Sequence, residues 1–155
     1  MRGKKISKRT ILPDPKFSSI ALAKFINYIM ERGKKTIAQK IVYTALDNLE
    51  AKTKRPALEV FEEAVKNVAP LLEVKSRRVG GANYQIPLHV RAERRQQLAY
   101  RWIIAAAKAR KGVPMAEKLT LELLAALENQ GDAMKKKQDV QRMAEANRAF
   151  AHFAR

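Results

Sequence analysis

One change of period governs what this chain can become. Over most of its length apolar residues recur at helical spacing, but between Leu72 and Val90 the spacing drops to two and then returns. Leu72 and Val74 alternate with Glu73, Lys75 and Arg77. Beyond Gly80-Gly81-Ala82-Asn83, the residues Tyr84, Ile86, Leu88 and Val90 alternate with Gln85, Pro87 and His89. Two alternating runs about a Gly-Gly turn predict a β-hairpin. Pro87 has no N–H for a ladder, so its strand must lie at an edge. A lone ribbon is marginal in water and has to lean on helices or on a partner.

Helical stripes flank the ribbon on both sides. Leu22, Phe25, Ile26, Ile29 and Met30 share one face, with Ser18 or Ser19 as the cap and Gly33 as the residue after the end. Thr36 and Gln39 read as a capping box for a second helix striped by Ile37, Ile41, Val42, Ala45, Leu46 and Leu49. Pro56 suits the first turn of a third, with Leu58, Phe61, Val65 and Val68 inward and Pro70 as the stop. After the ribbon come Leu98, Trp102, Ala105, Ala106 and Ala109, then Met115, Leu119, Leu123, Ala126 and Leu127. A last helix, capped by Asp132, carries Val140, Met143, Ala144 and Phe150. The fold class is therefore mostly α: a six-helix single domain with a protruding two-stranded β-hairpin arm and a basic N-terminal tail. The tail is residues 1–16, the helical domain 17–155, and the arm about 72–90.

Charge decides the function class. Against 15 acids stand 32 Lys and Arg, a net charge of +17 on 155 residues. Self-repulsion of that size opposes compaction unless a polyanion neutralises it. There is no Cys, which excludes disulfides, thiolate zinc sites and cysteine nucleophiles. The longest apolar run, Trp102 to Ala107, is far below the ~20 residues a bilayer span needs. No apolar segment follows the basic start to make a signal peptide. A cytoplasmic protein without membrane attachment is expected.

The cations are grouped. Lys4, Lys5, Lys8 and Arg9 meet no acid before Asp14, where Pro13 and Pro15 bar a helix. Lys75, Arg77, Arg78, Arg91, Arg94, Arg95 and Arg101 surround the hairpin against only Glu73 and Glu93. Arg94, Arg101 and Lys108 recur every seven residues on one helix face, and no acid occurs from Arg94 to Arg110. An ordinary solvated face would intersperse acids at i,i+4, as Glu62 and Lys66 do. Lys34-Lys35, Arg110-Lys111 and Lys135-Lys136-Lys137 are smaller clusters at helix ends. Cations on several separate elements suit a folded RNA gripped from several sides, whereas a duplex reader more often uses one recognition helix. Tyr84 reads equally as a base-stacking ring or as cross-strand packing. Trp102 and the methionines read as core.

Catalytic signals are thin. His89 and His152 lie too far apart for a local metal motif, and Gly33-Lys34-Lys35 is only a fragment of a phosphate-binding loop. No catalytic residue, metal, cofactor or small-molecule substrate is expected. A DNA-bending architectural protein would also combine helices with basic arms, but it would carry an apolar wedge where this tip has Gly-Gly-Ala-Asn.

Three separated motifs resemble one family in its own order. Phe25-Ile26, Gly33-Lys34-Lys35, Ile41-Val42 and Ala45 resemble the diagnostic pattern of the universal ribosomal protein seven family. The stretch from Val74 through Ser76, Val79 and Asn83 to Pro87 resembles its hairpin arm. Lys135-Lys136-Lys137, Asp139-Val140 and Arg142 to Asn147 resemble its last helix in bacteria. The resemblance implies a ribosome-bound primary binder of the 3′ major domain of 16S ribosomal RNA that nucleates the head of the small subunit near the decoding centre. It implies small-subunit proteins eleven and nine as neighbours. It implies exit-site tRNA and mRNA beside the arm, at Gly80, Gly81, Ala82, Asn83 and Tyr84. It also adds Arg142 to the cations expected on ribosomal RNA.

Overall fold

A computed structural model describes Gly3 and residues 10–154. Three helices come first: α1 (Ile20–Ile29), α2 (Lys35–Thr53) and α3 (Ala57–Val68). The ribbon β1 (Leu72–Val79) and β2 (Ala82–His89) follows, then α4 (Ala92–Ala109), α5 (Met115–Leu127) and α6 (Asp132–Ala146). A 3-10 helix, Arg148–Ala154, ends the described chain. The mostly helical architecture with one antiparallel hairpin is the one the period change predicts.

Helix α5 is the axis of the body. It packs against α2, α3, α4 and α6, and its Leu119, Leu123 and Ala126 are buried. An aromatic knot joins α1, α3 and α4: the Phe25 ring lies 5.0 Å from Phe61 and 5.1 Å from Tyr100. The Tyr100 hydroxyl, carried into this apolar surrounding, donates to the Ala21 carbonyl at 2.9 Å, so its polar tip is satisfied. Asp14 roots the segment before α1. It is buried, takes the Tyr43 hydroxyl at 2.7 Å and accepts from the backbone N–H of Lys16 and Phe17. Burial and the neighbouring Asp14 push the Tyr43 phenol up to about 12.

Of the two serines offered as the cap of α1, Ser19 serves, accepting from Leu22 N–H. Other local expectations are corrected. The helix ends at Ile29, so Gly33 serves the α1–α2 turn together with left-handed Arg32 rather than following the helix directly. The Thr36–Gln39 capping box does not form, because α2 already starts at Lys35. Ile37 is 54% exposed and Ala38 takes the inward position one residue on. Pro56 stands just outside α3 as its cap residue. On α4 the buried line runs through Ala99, Tyr100, Ile103, Ile104 and Ala107, leaving Ala105 and Ala109 exposed and Trp102 only half-buried. An alanine-rich helix fits either phase, and the large Tyr100 and Ile103 decide it. Met143 is exposed although its neighbour Ala144 is buried, on a helix that packs against the ribbon as well as against α3, α4 and α5.

Asp132 opens α6 without capping it. The buried carboxylate of Glu122 on α5 does so instead, its Oε1 accepting from Ala133 N–H at 2.9 Å. The ribbon reverses at the Gly-Gly turn that the alternating runs predict, with Ala82 and Asn83 already in the second strand. Val79 pairs with Ala82, and Gly80 and Gly81 alone close the loop at φ +57° and +93°. Both lie in the left-handed region, as a two-residue hairpin loop matched to strand twist requires.

Candidate nucleic-acid interface

The arm sorts its own cations. Residues directly opposite in an antiparallel pair share a face, so Lys75 with Ile86 and Arg77 with Tyr84 lie on one side. Arg78 with Asn83 lies on the other. Ile86 is buried, and Tyr84 meets Phe150 and Phe153 of the 3-10 helix at 5.1 and 5.4 Å. That side therefore faces the protein. Of the two readings of Tyr84, packing describes its surroundings. Arg77 donates from Nη1 to the Phe153 carbonyl at 3.0 Å. Arg78 projects from the opposite, exposed side.

The base of the arm is an ion-pair junction. Glu73, its side chain only 14% exposed, accepts from Lys75 at 3.1 Å and from Arg94 Nε at 3.2 Å. Burial alone would raise this carboxyl, but the hydrogen bonds from Lys75 and Arg94 outweigh it and hold it below the usual range. Arg95 donates to the Val90 carbonyl at 2.8 Å. The first turn of α4 is thus tied to the foot of the ribbon by two of the arginines expected on RNA.

The acid-free run from Arg94 to Arg110 does not stay unpaired in three dimensions. Lys108 on α4 meets Glu31, and that hydrogen bond holds the Glu31 carboxyl below its usual range. Arg110, just past α4, donates from Nε and Nη2 to Glu122 Oε2 at 3.0 and 2.7 Å. Arg101 lies over the Tyr28 ring, 5.9 Å from its centroid. In α6, Lys137 turns inward to donate to the Asn67 carbonyl, and its burial lowers its pKa. Arg142 pairs with Asp139 at 2.8 Å.

A second set of cations has no side-chain partner among the described residues. Lys34 and Lys35 stand exposed at the start of α2, beside exposed Arg32. Arg78 on the arm and Arg91 at the start of α4 are exposed, as is Lys111 after it. Lys135 and Lys136 are exposed in the first turns of α6. Lys4, Lys5, Lys8 and Arg9 lie outside the described residues. The sequence reading missed Arg32 and Arg148. The first was legible from its place beside Lys34-Lys35, whereas the second lacks any neighbouring cation that would mark it. Its exposure next to the arm follows only from the 3-10 helix.

What such an arrangement can do is bind anions at several separate points. No group of three His, Asp or Glu side chains able to hold a metal occurs among the described residues. Nor is any described helix long and apolar enough to cross a membrane.

Comparison with known proteins yields one family. The profile described as Ribosomal protein S7p/S5e matches residues 1–148. A protein of Thermotoga maritima named small ribosomal subunit protein uS7 is 59% identical over 153 residues, 99% of each chain. Proteins of the same name from Rhodopseudomonas palustris (strain BisB5) and Roseiflexus sp. (strain RS-1) are 58% and 55% identical. These cover 94% of this chain and 94% of the relative in the first case, and 97% and 96% in the second.

Proposed function

The chain belongs to the ribosomal protein S7p/S5e family, and from that membership we propose how it serves the small ribosomal subunit. It is a structural protein, not an enzyme, and it works bound to ribosomal RNA in the cytoplasm. Residues 17–155 act as one RNA-binding domain and residues 1–16 as a basic tail. The domain is a primary binder of the 3′ major domain of 16S ribosomal RNA and nucleates assembly of the head. Its arm tip, Gly80 to Tyr84, lies towards exit-site tRNA and mRNA near the decoding centre. Small-subunit proteins eleven and nine adjoin it.

One observation carries the reading of the RNA contacts: exposed cations without side-chain partners stand on separate elements, at Lys34, Lys35, Arg78, Arg91, Lys111, Lys135 and Lys136. Long side chains free of internal partners can reach phosphates without first breaking a protein contact. Lys75, Arg77, Arg94, Arg95, Lys108, Arg110, Lys137 and Arg142 each already hold a protein group. These shape the surface first, and any phosphate contact they make competes with that bond. Arg101, over Tyr28, and the tail cations Lys4, Lys5, Lys8 and Arg9 complete the proposed set.

Protection footprinting of small-subunit RNA with the purified protein tests this. Protection confined to one multi-helix junction is expected, with affinity for that site exceeding random RNA by orders of magnitude at physiological salt. Equal protection along the RNA would reduce the protein to a sticky polycation.

A further inference from the structure

We infer that Phe150 and Phe153 are positioning residues for the arm: the 3-10 helix is a latch that grips Tyr84 and sets where the tip points. The inference rests on the proposed delivery of the tip to RNA for its consequence, but its geometry stands alone. A two-stranded ribbon is marginal by itself. This one is held at its foot, where Val90 N–H donates to the Leu71 carbonyl at 3.0 Å and Glu73 pairs with Arg94. α6 also packs against both strands, but the lever is eight residues long, roughly 26 Å at about 3.3 Å per residue, and the aim of its far end depends on what holds it near the loop.

The latch acts much nearer the loop. Tyr84 pairs with Arg77, and only Arg78–Asn83 and Val79–Ala82 separate that pair from Gly80-Gly81. Phe150 and Phe153 both contact the Tyr84 ring, and Arg77 bonds the Phe153 carbonyl on the same face. The latch is itself anchored. Asn147 ends α6 with its side chain on the Met143 carbonyl at 2.8 Å, and Phe150 N–H donates to the Asn147 carbonyl at 3.0 Å. His152 backs Phe153, ring centroids 4.0 Å apart, with Nδ1 2.8 Å from the Ala149 carbonyl. None of these rings belongs to the helical core, so removing them spares the fold.

The chain has no cysteine, so two can be introduced for spin labels: Asn83→Cys near the tip and Glu117→Cys on α5, both exposed. In the free protein the distance distribution between them is narrow in the parent and broadens in Phe150→Ala/Phe153→Ala. Amide exchange around the Arg77–Tyr84 pair quickens by about tenfold, while α5 amides stay protected. Phe153→Tyr keeps the ring and restores both readouts. An unchanged distribution and exchange rate in the double variant would overturn the latch, whatever ribosomes containing it do. If the arm loosens yet particles with the variant keep parental exit-site tRNA occupancy and reading-frame maintenance, the latch stands and the proposed task of the tip fails.

Discussion

Arg110 offers the sharpest contest between charge read along a sequence and charge placed in a fold. As one of a basic pair at a helix end it reads as a phosphate contact. In the structure it holds Glu122, which is 0% exposed while Arg110 is 32% exposed. The buried partner is the acid, so the two deletions should differ. Arg110→Ala leaves a buried carboxylate with only the Ala133 N–H for company. Breaking a buried pair in this way costs about 3–5 kcal/mol, and the part-exposed arginine argues for the lower end. For a domain of this size that lowers Tm by roughly 6–12 °C. Glu122→Gln keeps the shape and one acceptor for Ala133, and the freed guanidinium can turn to water, so about 1–2 kcal/mol is expected. The double variant should cost less than the sum, with a coupling of about 1–3 kcal/mol. Gly131→Ala is a third probe, since a Cβ there would sit 2.9 Å from Glu122 Oε1 at a backbone φ of +91°. Thermal and urea unfolding measure stability, and filter binding over a salt series measures RNA contacts. If Arg110→Ala leaves Tm unchanged and flattens the log–log salt slope by about 0.9, the side chain is a phosphate contact and the structural argument is wrong.

Lys135→Ala/Lys136→Ala and Lys34→Ala/Lys35→Ala should each weaken RNA binding and flatten the salt slope by about 0.9 per lost contact, with stability unchanged within ~0.5 kcal/mol; a slope unaltered by both pairs would remove them from the interface. Tyr100→Ala should destabilise by about 3–5 kcal/mol and half-buried Trp102→Ala by distinctly less, measured by urea unfolding, and the reverse order would mean that the faces of α4 are exchanged. Gly80→Val/Gly81→Val should distort the loop, whose φ values are positive, and leave the Tm of the helical body alone, with altered exit-site tRNA retention in assembled particles as its readout. Because the folded Glu73 carboxyl is lowered from 4.5, its contribution is complete above that value and is lost as pH falls through the lower folded value. Amide protection at the foot of the arm should therefore fall in acid, and a Glu73→Gln variant with the same acid profile would refute the assignment.

The sequence by itself determined the elements and the kind of partner. Leu22, Phe25, Ile26 and Ile29 are large, contiguous at helical spacing and unambiguous in phase, and all four are buried. Gly80-Gly81 between alternating runs leaves little choice but a hairpin, because few residues tolerate consecutive positive φ. Net charge is additive along a chain, so an excess of +17 announces a polyanion before any folding. Which face of α4 turns inward was not legible, since alanines suit either side and the choice belongs to Tyr100 packing on Phe25 and Phe61. Nor was the cap of α6, which comes from a neighbouring helix rather than from Asp132.

Tertiary structure also decided which cations remain available. Glu73, Glu31 and Glu122 lie 21, 77 and 12 positions from Arg94, Lys108 and Arg110, distances that no i,i+4 rule detects. Helical period is a local property carried by neighbouring residues. Pairing of charge depends on which surfaces fold against each other, and only the packed chain brings those acids to Arg94, Lys108 and Arg110 while leaving Lys34, Lys35, Lys135 and Lys136 facing solvent.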